Sequence, residues 1–142
     1  MAKHISKALS IALPFALFVT TDLYAISPEG KTFVTPVGVT LLTEPEIIQM
    51  IVGNTFMGET AKGGMYYEYY TEDGHIRGLV RGEKYSGKWK VKGSVICFDY
   101  NDPSHEHCST LSVNEGGSVR FYDLKGKRKW LAIPQKGNSK GL

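Results

Sequence analysis

The sequence predicts a mainly β protein, an antiparallel up-and-down meander of about eight strands forming a small barrel, with one short N-terminal helix. Three observations carry this expectation. After Gly53 the chain breaks into short β-prone runs at regular spacing. The runs are separated by tight turn residues such as Glu72-Asp73-Gly74 and Asn114-Glu115-Gly116-Gly117. The connections are too short for parallel crossovers, so neighbouring strands must run antiparallel.

The first residues read differently. Lys3 and Lys7 form a basic head, an apolar run follows over residues 8–19, and Leu23-Tyr24-Ala25 offers a small residue at a cleavage point. That order is the layout of a secretory signal peptide, and the run is shorter than the ~20 apolar residues a membrane span needs. Residues 1–25 are therefore expected to be removed, leaving 26–142 in the periplasm or outside the cell with no integral membrane span. Losing Lys3, Lys7 and Asp22 takes one unit off the formal net charge of +3. So small a charge argues against a nucleic-acid partner. What remains suits one domain.

Residues 26–42 lack helical periodicity and are expected to form an extended lead-in segment or an edge strand. A single domain then occupies residues 43–142. It opens on Thr43-Glu44-Pro45-Glu46, where Thr43 can cap a helix and Glu46 can reach back to it. Pro45 is tolerated in a first turn, Ile47, Ile48 and Ile51 make an apolar stripe, and Gly53 provides the stop. This predicts a helix over residues 44–52. Strands are predicted over 55–59, 65–71, 75–81, 85–92, 94–100, 108–113, 118–124 and 128–133. Alternation is clearest at 85–92, where Tyr85, Trp89 and Val91 share one face and Lys88, Lys90 and Lys92 the other. Eight strands in meander order can close and remove their edges, and the helix would plug or flank one end. The alternative is an open two-layer meander. A barrel of this size is filled by its own side chains or holds one small ligand, and periodicity does not choose between these.

Cys97 and Cys108 are the only cysteines, placed on successive strands of a chain read as secreted, and they are expected to form a disulfide. His105-Glu106-His107-Cys108, with Asp99 and Asp102 near in sequence, has the character of a surface Zn²⁺ or Cu²⁺ site. The plainer reading is a polar hairpin tip with Cys108 committed to a bridge, so no metal and no cofactor is expected. Tyrosine is abundant in the strands: Tyr66, Tyr67, Tyr69, Tyr70, Tyr85, Tyr100 and Tyr122, joined by Trp89 and Trp130. Aromatics favour strands and fill barrels, and they also line ligand cavities. Tyr67, Tyr69, Tyr85 and Trp89 are singled out as ligand-binding candidates. Lys125-Gly126-Lys127-Arg128-Lys129 is a dense basic turn suited to solvent or to an anionic surface. No nucleophile–base–orienter set, phosphate loop or dinucleotide fingerprint is present, so no catalytic residue is assigned and an enzyme is not expected.

The order Gly53-Asn54-Thr55, E-Y-Y-T-E-D-G at 68–74, S-G-K-W-K-V at 86–91, I-C-F-D-Y at 96–100, Cys108 and Lys136-Gly137-Asn138 is similar to small secreted alphaproteobacterial proteins of unknown function, including those grouped as DUF995-like. The likeness covers roughly residues 41–142. It implies a periplasmic or secreted β-rich domain with a disulfide and transfers no catalytic residue. The Gly87-Lys88-Trp89 step also resembles lipocalin-like and avidin-like barrels, at the level of fold only. The function expected from these readings is a non-enzymatic binder of a small molecule or an envelope component. The alternative is a protein-binding module, such as an inhibitor of an envelope-directed hydrolase, acting through residues 101–107 or 125–129.

Overall fold

Eight antiparallel strands close into a barrel in the computed structural model, which describes residues 24–26, 31–101 and 106–142. The signal segment up to residue 23, and Asp102 and His105 of the expected hairpin tip, lie outside the described residues. In chain order the elements are β1 (Tyr24–Ile26), β2 (Thr32–Val34), α1 (Glu44–Ile51), β3 (Asn54–Glu59), β4 (Met65–Tyr70), β5 (His75–Val80), β6 (Glu83–Lys92), β7 (Val95–Asp99), β8 (His107–Val113), β9 (Val119–Tyr122) and β10 (Arg128–Lys136). Strands β3 to β10 pair in sequence, and β10 returns to β3 with Ala132 opposite Gly58 and Lys136 opposite Asn54. The open two-layer meander is thereby excluded. The hairpin between β5 and β6 turns on Arg81 and Gly82, with φ of 51° and 85°. Two successive positive φ values are what a two-residue loop needs to match strand twist.

Helix α1 begins as its residues dictate. The Thr43 backbone N–H and hydroxyl both donate to Glu46, at 2.8 and 2.7 Å. Those bonds hold the Glu46 carboxyl below its ordinary range, the backbone donor contributing most. Gly53 follows the helix at φ 73°, the left-handed geometry that glycine adopts most readily. Ile47 and Ile51 are buried among Phe56, Tyr70, Ile76, Trp89, Ile96 and Leu111. The Gly93 N–H donates to Glu44 at 2.6 Å, tying the helix start to the β6–β7 turn. The helix thus plugs one end of the barrel, and the core fills that half. Among the described residues no helix is long and apolar enough to cross a membrane.

The lead-in segment packs on the barrel wall. Val34 N–H donates to the Leu124 carbonyl and Leu42 N–H to the Leu111 carbonyl. Phe33 packs with Val95 and Cys97, flanked by Leu41, Cys108 and Leu124. This small second core forms on the outer face of β7, whose alternate residues Ile96 and Phe98 belong to the main core. Thr32–Val34 also pairs with Tyr24–Ile26. A cut after Ala25 would leave only the Ile26–Thr32 rung of that ladder.

Cys97 and Cys108 stand directly opposite one another on β7 and β8 and are bonded. Their separation of 11 residues closes a short loop. In the chain-entropy account a loop of this size is worth roughly 2.5–3 kcal/mol. Replacing both cysteines by serine is expected to lower the melting temperature by about 10 °C, and dithiothreitol should reproduce the drop in the unmodified protein. Equal melting curves with and without reductant would show that the staple adds nothing to the strand pairing.

Candidate functional site

The half of the barrel away from α1 is open. A cavity of about 1030 Å³ lies there, and Tyr66, Glu68, Tyr85, Tyr100, Phe121 and Trp130 are among its lining residues. It is built by the two-residue period of the strands. On β4, Tyr66, Glu68 and Tyr70 point inward, while Tyr67 and Tyr69 take the other face and Met65 lies exposed at the cavity mouth. On β6, Tyr85, Gly87, Trp89 and Val91 point inward, and Lys84, Ser86, Lys88, Lys90 and Lys92 are exposed.

Glycines make room for the rings. Gly58 faces Tyr66 across β3 and β4, and Gly78 faces Tyr85 across β5 and β6. A Cβ at Gly58 would lie 2.4 Å from the Tyr66 hydroxyl, and one at Gly78 would lie 2.1 Å from the Tyr85 ring. Each tyrosine therefore lies over a strand glycine, the close approach that glycine within a strand permits. Gly87 is confined by backbone as well, since its Cβ would lie 2.8 Å from the backbone oxygen of Asp99 and 2.9 Å from the Tyr100 ring.

Glu68 sits at the floor of this space, 6% exposed. Three phenols donate to it: Tyr70 to Oε2 at 2.6 Å, and Tyr85 and Tyr100 each to Oε1 at 2.8 Å. Charge-assisted bonds of this kind are about twice as strong as neutral ones. Burial first, and the Glu68 charge second, push the Tyr66, Tyr70, Tyr85 and Tyr100 hydroxyls above the ordinary tyrosine range. Aromatic contacts brace the cluster. Tyr85 and Tyr100 are tilted at 6.0 Å, and Tyr70 meets Phe98 edge-on at 6.2 Å. Across the cavity Phe121 and Trp130 stack at 5.0 Å.

The four aromatic candidates from the sequence separate here. Tyr85 lines the cavity. Trp89 is buried in the plugged half and donates its indole N–H to the Thr71 carbonyl at 3.1 Å. Tyr67 and Tyr69 do not line the cavity; Tyr67 lies under the Lys140 ammonium, 4.3 Å from its ring centroid. The pleat assigns the cavity positions to Tyr66 and Tyr70 instead. Glu68 was not singled out from the sequence. The available signal was a lone carboxylate flanked on each side by two tyrosines, together with glycines inside β3, β5 and β6.

The region with metal-ligand character is otherwise engaged. The Cys97 and Cys108 sulfurs are joined to each other, and Glu106 lies beside them. Glu106 accepts from Lys31 at 2.6 Å and pairs with Lys90 at 2.7 Å. The Lys31 bond, followed by the Lys90 bond, lowers the Glu106 carboxyl from its ordinary range. The basic turn lies at the open rim. Its Asp123 carboxylate accepts from the N–H groups of Lys125 and Lys127, and Lys129 stands 3.9 Å from Asp123.

The closing strand pair joins two motifs on which the family resemblance rests. Thr55, wholly buried, donates its hydroxyl to the Gly137 carbonyl at 2.7 Å, and Gly137 N–H donates to the Asn54 side chain at 3.1 Å. Comparison with family models, with curated proteins and with solved structures returns no match for this chain.

Proposed function

We propose that this chain is a non-enzymatic periplasmic or secreted barrel that binds a small molecule in the open half of its interior. The observation that carries the reading is the aromatic cavity of about 1030 Å³ around the Glu68–tyrosine cluster. Ligand sites are typically clefts of ~300–1,000 Å³, mostly apolar with a few fixed polar groups. Here the polar groups converge on one carboxylate and the walls are rings. Binding is favoured over catalysis because the cluster assembles no nucleophile with its base. The signal-peptide layout supports the location, and the DUF995-like resemblance agrees with it.

Native mass spectrometry of protein purified from an envelope extract without denaturation is expected to show a chain beginning at Ile26. It should carry excess mass that is lost on unfolding. A chain that keeps its first residues would remove the periplasmic or secreted reading. A bare mature chain that also fails to take up apolar fluorescent probes would remove the binding reading.

The second reading, a protein-binding module, draws on the mouth of the barrel. Met65, Leu131 and Ile133 are large apolar side chains exposed by 43–48% that border the cavity, near the basic turn. Contiguous exposed apolar surface marks interaction sites. Retention of an envelope hydrolase by the immobilised protein, lost on Ile133→Asp, would favour this reading.

A further inference from the structure

The buried charge of the cavity has one sign. Glu68 is the buried charge, and among the described residues no lysine, arginine or histidine pairs with it. The other charged lining residues, Glu59, Glu83, Lys84 and Lys129, are exposed and balance one another, two against two. Three phenol hydrogen bonds offset part of the desolvation of the carboxylate but bring no positive charge. Around it stand Tyr85, Tyr100, Phe121 and Trp130, whose rings carry the quadrupole that attracts cations.

Each neutral phenol that donates to Glu68 also keeps lone pairs on its oxygen. An anionic ligand would meet repulsion from Glu68 and from the ring faces. A neutral ligand would leave the carboxylate uncompensated. A hard metal ion demands several convergent oxygen ligands, whereas the buried part of this cavity supplies one carboxylate, already engaged by three phenols, and ring walls. A weakly hydrated organic ammonium suits both features, because ring faces attract it and the buried charge compensates it.

Resting on the reading that the cavity binds a small molecule, we infer that its ligand is an organic cation: an alkylated ammonium seated against the Glu68–tyrosine cluster, with an apolar body filling the space toward Phe121 and Trp130. A compact ammonium head occupies only part of about 1030 Å³, so the apolar body is a necessary component of the fit.

The test uses two fluorescent probes of the same shape. One is a dansyl amide with a trimethylammoniopropyl arm, and the other is its isostere with carbon in place of the quaternary nitrogen. The purified protein is expected to bind the cation at least tenfold more tightly, and Glu68→Gln is expected to bring the two within twofold. Equal affinities in the unmodified protein would overturn the cation inference and leave the binding reading standing. No binding of either probe up to millimolar concentration would overturn both. A preference that survives in folded Glu68→Gln would place the cation elsewhere and overturn the inference. Should Glu68→Gln fail to fold, Tyr85→Phe exposes one Oε1 lone pair while keeping the charge. It is then expected to tighten the cationic probe alone by two- to fivefold, and no change or a loss would overturn the inference.

Discussion

Replacing Glu68 by leucine is expected to lower the melting temperature by roughly 12–20 °C, more than any single tyrosine-to-phenylalanine change around it. The substitution leaves three phenol donors without their acceptor. Tyr70 is the most deeply buried of them and has least access to another acceptor. Tyr85 and Tyr100 border the cavity, where solvent can replace part of what they lose. Leaving a buried donor without its acceptor costs about 1–3 kcal/mol, so three phenols, two of them within reach of solvent, together lose about 3–5 kcal/mol, while deleting one hydrogen bond to a charged group costs about 1.5–3 kcal/mol. The combined variant Glu68→Leu, Tyr70→Phe, Tyr85→Phe, Tyr100→Phe removes donors and acceptor together. It is expected to recover most of the loss, because replacing both partners of a buried hydrogen bond by apolar groups of similar shape is nearly neutral. Thermal unfolding by circular dichroism measures all the variants. If the combined variant is as unstable as the sum of its parts, the cluster is a stabilising element of the core, which would weaken its reading as a site.

Much of the barrel was legible in the sequence because local chemistry and tertiary structure agree along most of the chain. The helix start at Thr43 and the stop at Gly53 are backbone devices that need no partner to be recognised. The alternation of Tyr85, Trp89 and Val91 with three lysines fixes which face of β6 turns inward, and the opposition of Cys97 and Cys108 follows from a hairpin of that length. Boundaries failed where tertiary pairing decides. The last strand is expected over 128–133; β10 instead continues through Pro134 to Lys136. Beyond Ala132 it pairs with β3 alone, so one side of the strand has no ladder to supply. The penultimate strand ends at Tyr122 because Asp123 starts a turn with its own side chain.

The site was half legible. Aromatic abundance pointed to the right strands, yet in Met65–Tyr70 tyrosine falls on both faces and the pattern alone cannot phase them. The phase is set by the neighbours, since Tyr66 needs Gly58 opposite and Tyr85 needs Gly78 opposite. The lead-in segment was legible only as extended. That it covers the outer side of β7 depends on Phe33 finding Val95 and Cys97, a long-range contact without a local signature.

Alkaline pH is expected to unfold this protein steeply, beginning near pH 10. Tyr66, Tyr70, Tyr85 and Tyr100 all have hydroxyls raised above the ordinary tyrosine value, chiefly by burial and then by the Glu68 charge. In the unfolded chain these groups lose their protons at about pH 10, whereas in the barrel they retain them. Above that pH the folded state binds more protons than the unfolded state, so stability falls as pH rises; below it the contribution is fully present and flat. A fully buried tyrosine such as Tyr70 contributes a slope of about 1.4 kcal/mol per pH unit. The other three are only partly buried and each contributes a fraction of that, giving a total of roughly 3 kcal/mol per pH unit. Against a stability of ~5–15 kcal/mol, about two to five pH units exhaust the fold. Absorbance at 295 nm followed alongside circular dichroism makes the check. Part of the tyrosine signal should appear only as the β spectrum is lost, and that delayed part should shrink by about one tyrosine in Tyr70→Phe. Ionisation of every tyrosine near pH 10 with the barrel still folded would mean that the cluster is open to solvent, and the buried carboxylate with its ring walls would cease to be a site.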